Sequence, residues 1–92
     1  MTAPIRPRTK TDLSVVELDH EAVVYDGSTG NLHHLNPSAT VVFSLCDGTA
    51  TIRELAQDIA AAFGRPREEV EPQVRRLLTS FRRQGLLEAS RD

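Results

Sequence analysis

The sequence predicts a small α+β domain, a three-stranded antiparallel sheet followed by three helices in a winged helix-turn-helix-like arrangement. Three observations carry this. Between Leu13 and Leu35, short runs rich in β-branched and aromatic residues alternate with turn residues, the pattern of strands joined as hairpins. From Pro37 onward the apolar period changes from two to 3.6, the spacing of one helix face. Gly48, Gly64 and Gly85 then divide the second half into helix-sized pieces, each glycine being free to take the left-handed conformation that ends a helix.

Leu13 to Leu18, with Val15 and Val16, reads as the first strand, and Asp19-His20 as its two-residue connection to a second over Ala22 to Tyr25. Asp26-Gly27-Ser28-Thr29-Gly30 is a turn with two glycines, whose Ser and Thr hydroxyls suit local backbone bonds. Leu32 to Leu35 returns as the third strand. Asn36 then caps a helix through its side chain, and Pro37 suits the first helical position, where its missing N–H is no loss. Ala39, Val42, Phe43 and Cys46 form the apolar stripe of this first helix, with Gly48 as its expected cap.

The second helix opens on Thr51 and Glu54, spaced as a capping box, and its expected core face is Ile52, Leu55, Ala56, Ile59 and Phe63. Gly64 closes it. The third helix spans roughly Arg67 to Gln84 with Val70, Val74, Leu77, Leu78 and Phe81 as its stripe. Glu68, Glu69 and Glu71 at its start and Arg82 and Arg83 at its end complement the helix dipole. Pro72 leaves two alternatives: the helix begins near Glu71, or its first turn is irregular. Gly85 stops it, and Leu86-Leu87 is expected to fold back onto the core.

The 92 residues make one domain, of which 39% are hydrophobic and 26% charged, near globular averages. The expected organisation is a disordered basic arm over 1–11, rich in Pro and Arg, a folded domain over 12–88 and a tail over 89–92. The net charge of −2 is unevenly spread. Residues 1–11 carry Arg6, Arg8 and Lys10 with no acid; residues 12–64 carry eight acids against Arg53 alone; residues 65–92 carry seven arginines against five acids. A lone cysteine suits a reducing compartment, and no apolar run is long enough for a membrane span. The chain therefore reads as a cytoplasmic, soluble domain.

The residues that carry metal or covalent chemistry are not arranged for it. His33 and His34 are adjacent on a strand and so face opposite sides, with His20 on the neighbouring hairpin. Cys46 belongs to an apolar stripe, where a small core residue is expected rather than a nucleophile. There is no Gly-rich phosphate loop and no nucleophile elbow. The reading is of a protein that is not an enzyme and takes no metal or cofactor.

The remaining chemistry lies in the backbone. If Leu32 to Leu35 is the last strand, one of its edges is open to another chain. The Tyr25-Asp26 strand end, the Gly-containing turn, Leu35-Asn36 before a helix, Asp47-Gly48, the Ile52-x-x-Leu55 helix and Gly85-Leu86-Leu87 together resemble the PqqD-like family of peptide-recognition domains, over about Leu18 to Glu88. That resemblance implies a recognition element that binds the leader of a ribosomally made precursor peptide by strand addition beside the last strand and third helix. It also implies presentation to a modifying enzyme of natural-product biosynthesis, such as a radical-SAM maturase, a cyclodehydratase or a lasso-peptide leader protease.

On a helical wheel the stripe of the third helix centres near Phe81, with Leu78, Arg75 and Arg82 on one flank and Leu77, Gln73 and Gln84 on the other. The expected peptide site is Asn31, Leu32, His33, His34 and Leu35 with Val74, Arg75, Leu78 and Arg82, an apolar floor beside two guanidiniums. Two rivals remain. A winged-helix DNA-binding regulator would present the start of its third helix to bases, where Glu68, Glu69 and Glu71 carry the wrong charge. A homodimerisation module would use the same edge strand against its own copy.

Overall fold

The computed structural model describes residues 5–88. Six elements follow in order: β1 (Leu13–Leu18), β2 (Glu21–Asp26), β3 (Asn31–Leu35), α1 (Pro37–Ser44), α2 (Ile52–Phe63) and α3 (Arg67–Arg83). The strands form one antiparallel sheet in the order β1-β2-β3. Among the described residues no helix is long and apolar enough to cross a membrane.

The local signals act as their chemistry requires. The Asn36 Oδ1 accepts from the Ala39 N–H at 2.8 Å, starting α1 on Pro37. The Thr51–Glu54 box closes in both directions, Thr51 N–H to Glu54 Oε1 at 2.8 Å and Glu54 N–H to Thr51 Oγ1 at 3.2 Å. Gly64 ends α2 at φ +64°, a region costly to any residue with a Cβ. The two-residue β1–β2 turn places Asp19 at φ +58°, where Asp is one of the few tolerated side chains.

One face of the sheet supplies Ala22, Val24 and Leu35 to a core completed by Ala39, Val42 and Phe43 of α1, Leu55, Ala56, Ile59 and Ala60 of α2, and Val70, Val74, Leu78 and Phe81 of α3. Phe43 and Phe81 meet edge to face, their centroids 5.6 Å apart, a favoured geometry for ring quadrupoles. Leu86 and Leu87 fold back into this core. Cys46 is buried too, its thiol donating to the Val42 carbonyl at 3.2 Å.

Four expectations need correction or resolution. Residues 7–10 are not a loose arm. Pro7 is buried, and the Thr9 N–H donates to the Cys46 carbonyl, Lys10 N–H to Leu86, Gly48 N–H to Pro7 and Glu88 N–H to Arg8. A composition reading sees only side chains, and this segment is held through its main chain. Residues 1–4 and the tail over 89–92 lie outside the described residues. Gly48 does not cap α1, which ends at Ser44 with Leu45 as its cap in the right-handed region. Its φ of +84° serves the arm instead, since a Cβ there would stand 3.1 Å from Arg8 Cδ. Phe63 leaves the expected core face and is 61% exposed at the last turn of α2. Pro72 lies inside α3, which begins at Arg67 all the same. Ion pairs Arg65–Glu69 at 2.7 Å and Arg67–Glu71 at 3.2 Å brace the turns around the missing N–H.

Candidate functional site

Among the described residues the order β1-β2-β3 gives β3 one neighbouring strand. Which of its backbone groups are free follows from the ladder. The Gly27 N–H donates to the Asp12 carbonyl at 3.1 Å, and Leu18 pairs with Glu21 across the two-residue turn. Bonded pairs alternate along an antiparallel ladder, so Glu21, Val23 and Tyr25 turn their N–H and C=O groups towards β1. Ala22, Val24 and Asp26 therefore turn theirs towards β3, where their partners are Leu35, His33 and Asn31. Leu32 and His34 are left with outward N–H and C=O groups. By the same alternation, Leu13, Val15 and Glu17 face outward on β1, the other edge of the sheet.

The side chains of β3 divide between two faces. Leu35 is core and His33 is half-buried on the same side, its Nε2 enclosed without a hydrogen-bond partner. Leu32 is 69% exposed on the opposite face. Beside it His34 Nε2 pairs with Glu21 Oε1 at 2.6 Å across the neighbouring strand, both side chains well exposed. The two histidines do face opposite sides. Among the described residues no three of His, Cys, Asp or Glu come together as a metal site.

The turn that leads into β3 is fixed by Asp26. Its buried carboxylate accepts from Ser28 Oγ at 2.7 Å, from Ser28 N–H at 2.9 Å and from Lys10 Nζ at 3.3 Å. The Ser28 hydroxyl bond leads in lowering its pKa to about 2, against the opposing effect of burial. The sequence marked Asp26 only as a strand end; its pairing with Lys10 depends on the docked arm. The one thiol behaves oppositely: burial, with the Asp47 charge added, pushes Cys46 up to about 11, so at neutral pH it is not the thiolate a nucleophile needs.

The four expected residues of α3 do not assemble as anticipated. Leu78 is 3% exposed and Val74 is likewise buried, so both are core rather than an accessible floor. Arg75 is engaged, its Nε and terminal nitrogen donating to Glu71 Oε2 at 3.2 and 2.9 Å. The Arg75 bond holds the Glu71 carboxyl below the usual range. Arg82 is exposed in the last turn. The opposite flank, with Gln73 and Leu77, lines a cavity of about 830 Å3, which the buried Val74 also borders and whose other walls come from α1, the end of α2 and the end of β1 with its turn. The exposed Phe63 at its rim is what the sequence reading missed, because helical periodicity alone assigns it to the core.

Comparison with known proteins adds the following. Residues 21–87 match the family described as coenzyme PQQ synthesis protein D (PqqD). A structure described as TbiB1 in complex with the TbiA(beta) leader peptide shares the fold with a TM-score of 0.79 at 24% identity, over 92% of this chain and 99% of that one. A lasso peptide synthetase B1 complexed with the leader peptide aligns with a TM-score of 0.77 at 23% identity, over 91% and 99% of the two chains. At these identities the likeness is one of fold. No curated protein matches the sequence.

Proposed function

Since the chain belongs to the PqqD family, we propose that it is a non-catalytic recognition element that captures the leader of a ribosomally synthesised precursor peptide and presents it to a modifying enzyme. The observation that carries this reading is the β3 edge, with one neighbour strand and the backbone groups of Leu32 and His34 turned outward. An extended peptide laid along Asn31 to Leu35 finds a hydrogen-bonding row already in place. Both structures of the same fold are described as complexes with leader peptides, which supports a peptide as the occupant.

Backbone pairing alone gives weak and promiscuous binding, because water satisfies both edges before association. Selectivity then comes from an apolar leader side chain, whose burial contributes roughly 1.5–3 kcal/mol. Val74 and Leu78 are covered core and give the proposed site no contact area; Arg82, exposed in the last turn of α3, meets a leader carboxylate at the rim for about 0.2–1 kcal/mol. Arg75 joins only by exchanging Glu71 for a leader carboxylate. The partners are the precursor leader and a maturation enzyme of the radical-SAM, cyclodehydratase or leader-protease type, in the cytoplasm. The acidic first turn of α3, with Glu68 and Glu69, weighs against duplex DNA as the occupant.

The test is a titration of isotope-labelled protein with synthetic leader segments of candidate precursor peptides. The expected result is saturable amide shifts over Asn31 to Leu35. Shifts confined to Leu13 to Leu18 would place the peptide on the other edge and overturn the assignment to β3.

A further inference from the structure

The cavity on the Gln73–Leu77 side of α3 shares no wall with β3. We propose that it is a docking site for a basic amphipathic helix of a partner protein, separate from the leader edge and not dependent on that assignment. Its floor is apolar, built from Val41, Ile59 and Leu77, and Phe63 stands at its rim 61% exposed, contributing little to the protein's own core. An exposed aromatic at the margin of a concave apolar surface is the kind of residue that anchors an interface. The volume of about 830 Å3 is enough to take several side chains.

Charge sets the chemistry of the occupant. Glu17, Asp19 and Glu69 border the cavity, and among the described residues Arg65 is its only arginine or lysine. Arg65 is already tied to Glu69 at 2.7 Å, so Glu17 and Asp19 stand without a cationic partner among the described residues. They belong to the 12–64 segment, where eight acids face one arginine. A partner that brings Lys or Arg beside its apolar residues is therefore favoured over an acidic one. The walls are mostly helix, whose backbone groups are already bonded, and of the open β1 edge only Glu17 borders the cavity, so an occupant gains little from an extended main chain. It binds through side chains spaced along one face, as a helix in a groove does.

The test uses two designed helical peptides of one Leu pattern, with Lys at the polar positions of the first and Glu in the second, titrated against the full chain by calorimetry and amide shifts. The Leu/Lys peptide is expected to bind, with shifts on α1, the end of α2 and Gln73 to Leu77. Phe63→Ala should weaken it about tenfold or more while leaving the melting temperature unchanged, since the ring is exposed. The double variant Glu17→Gln/Asp19→Asn should weaken it about threefold to tenfold, an effect that fades with added salt; Asn is chosen because position 19 needs a positive φ. Equal binding of the Leu/Glu peptide, indifference to Phe63→Ala, or shifts at β3 instead would overturn the proposal. Concentration-dependent self-association abolished by Phe63→Ala would also overturn it, by assigning the cavity to a second copy of the chain.

Discussion

Replacing His34 by proline removes one outward N–H from β3 and leaves the ladder to β2 intact. The position is specific. His34 lies opposite Val23, whose backbone groups are committed to β1, so the His34 N–H has no partner within the sheet. His33 lies opposite Val24 and gives its N–H to β2, so His33→Pro would cost the fold a ladder bond. The side chain of His34 must be separated from its backbone. Its contact with Glu21 is an exposed pair, 64% and 48% accessible, worth little, and His34→Ala removes it while keeping the N–H. One hydrogen bond to the leader lost, with a leader carbonyl left facing the proline ring, amounts to about 1–2 kcal/mol, or about 5–30-fold in Kd. The assay is calorimetric titration of the leader into the native protein and both variants, with a thermal melt of each. The expected order is native and Ala alike, Pro weaker by that factor, and the His34→Pro melt close to that of His34→Ala. A His34→Pro protein that binds as tightly as His34→Ala would refute strand addition at this edge.

Three further outcomes follow from the packing and the charges. Leu78→Ala should cost about 2–5 kcal/mol by chemical denaturation, because Leu78 is core; a loss of leader affinity without that destabilisation would show that it is surface after all. Asp26 has a pKa lowered to about 2, so the stability it confers is fully present above about pH 4 and is lost progressively as the pH falls from there through about 2. Native protein should accordingly lose stability on acidification in this window, and Asp26→Asn should flatten the dependence; an unchanged pH profile in the variant would contradict the role of the Ser28 and Lys10 contacts. Deleting residues 1–10 removes Pro7 from its buried site and four main-chain hydrogen bonds, with an expected net loss of about 1–3 kcal/mol. An unchanged melting temperature would show that the arm is a passenger.

Elements and the N-terminal caps of α1 and α2 could be read from the chain because their causes are local. The β-branched runs, the shift of period at Pro37, the Asn36 cap and the Thr51–Glu54 box each act within a few residues, and the side chains responsible are visible in order. The apolar stripe of α3 could be read for the same reason, including Val74 and Leu78, although its division into core and surface could not. Exposure depends on what lies opposite. Only the packing decided that Leu78 is covered, that Phe63 is not, and that the concave flank of α3 is the one with Gln73 and Leu77. The start of α3 before Pro72 was likewise undecidable locally, since a missing N–H weighs against a helix and only the surrounding contacts could outweigh it. The docked arm left no trace in composition, because the backbone hydrogen bonds that Thr9 and Lys10 donate to distant segments, and that Pro7 and Arg8 accept from them, involve no particular side chain. The candidate edge divides in the same way. That β3 comes last among the strands follows from the chain; that Leu32 and His34, rather than His33, present the free N–H groups follows from a register set by two turns and one long-range bond, which exists only once the sheet has formed.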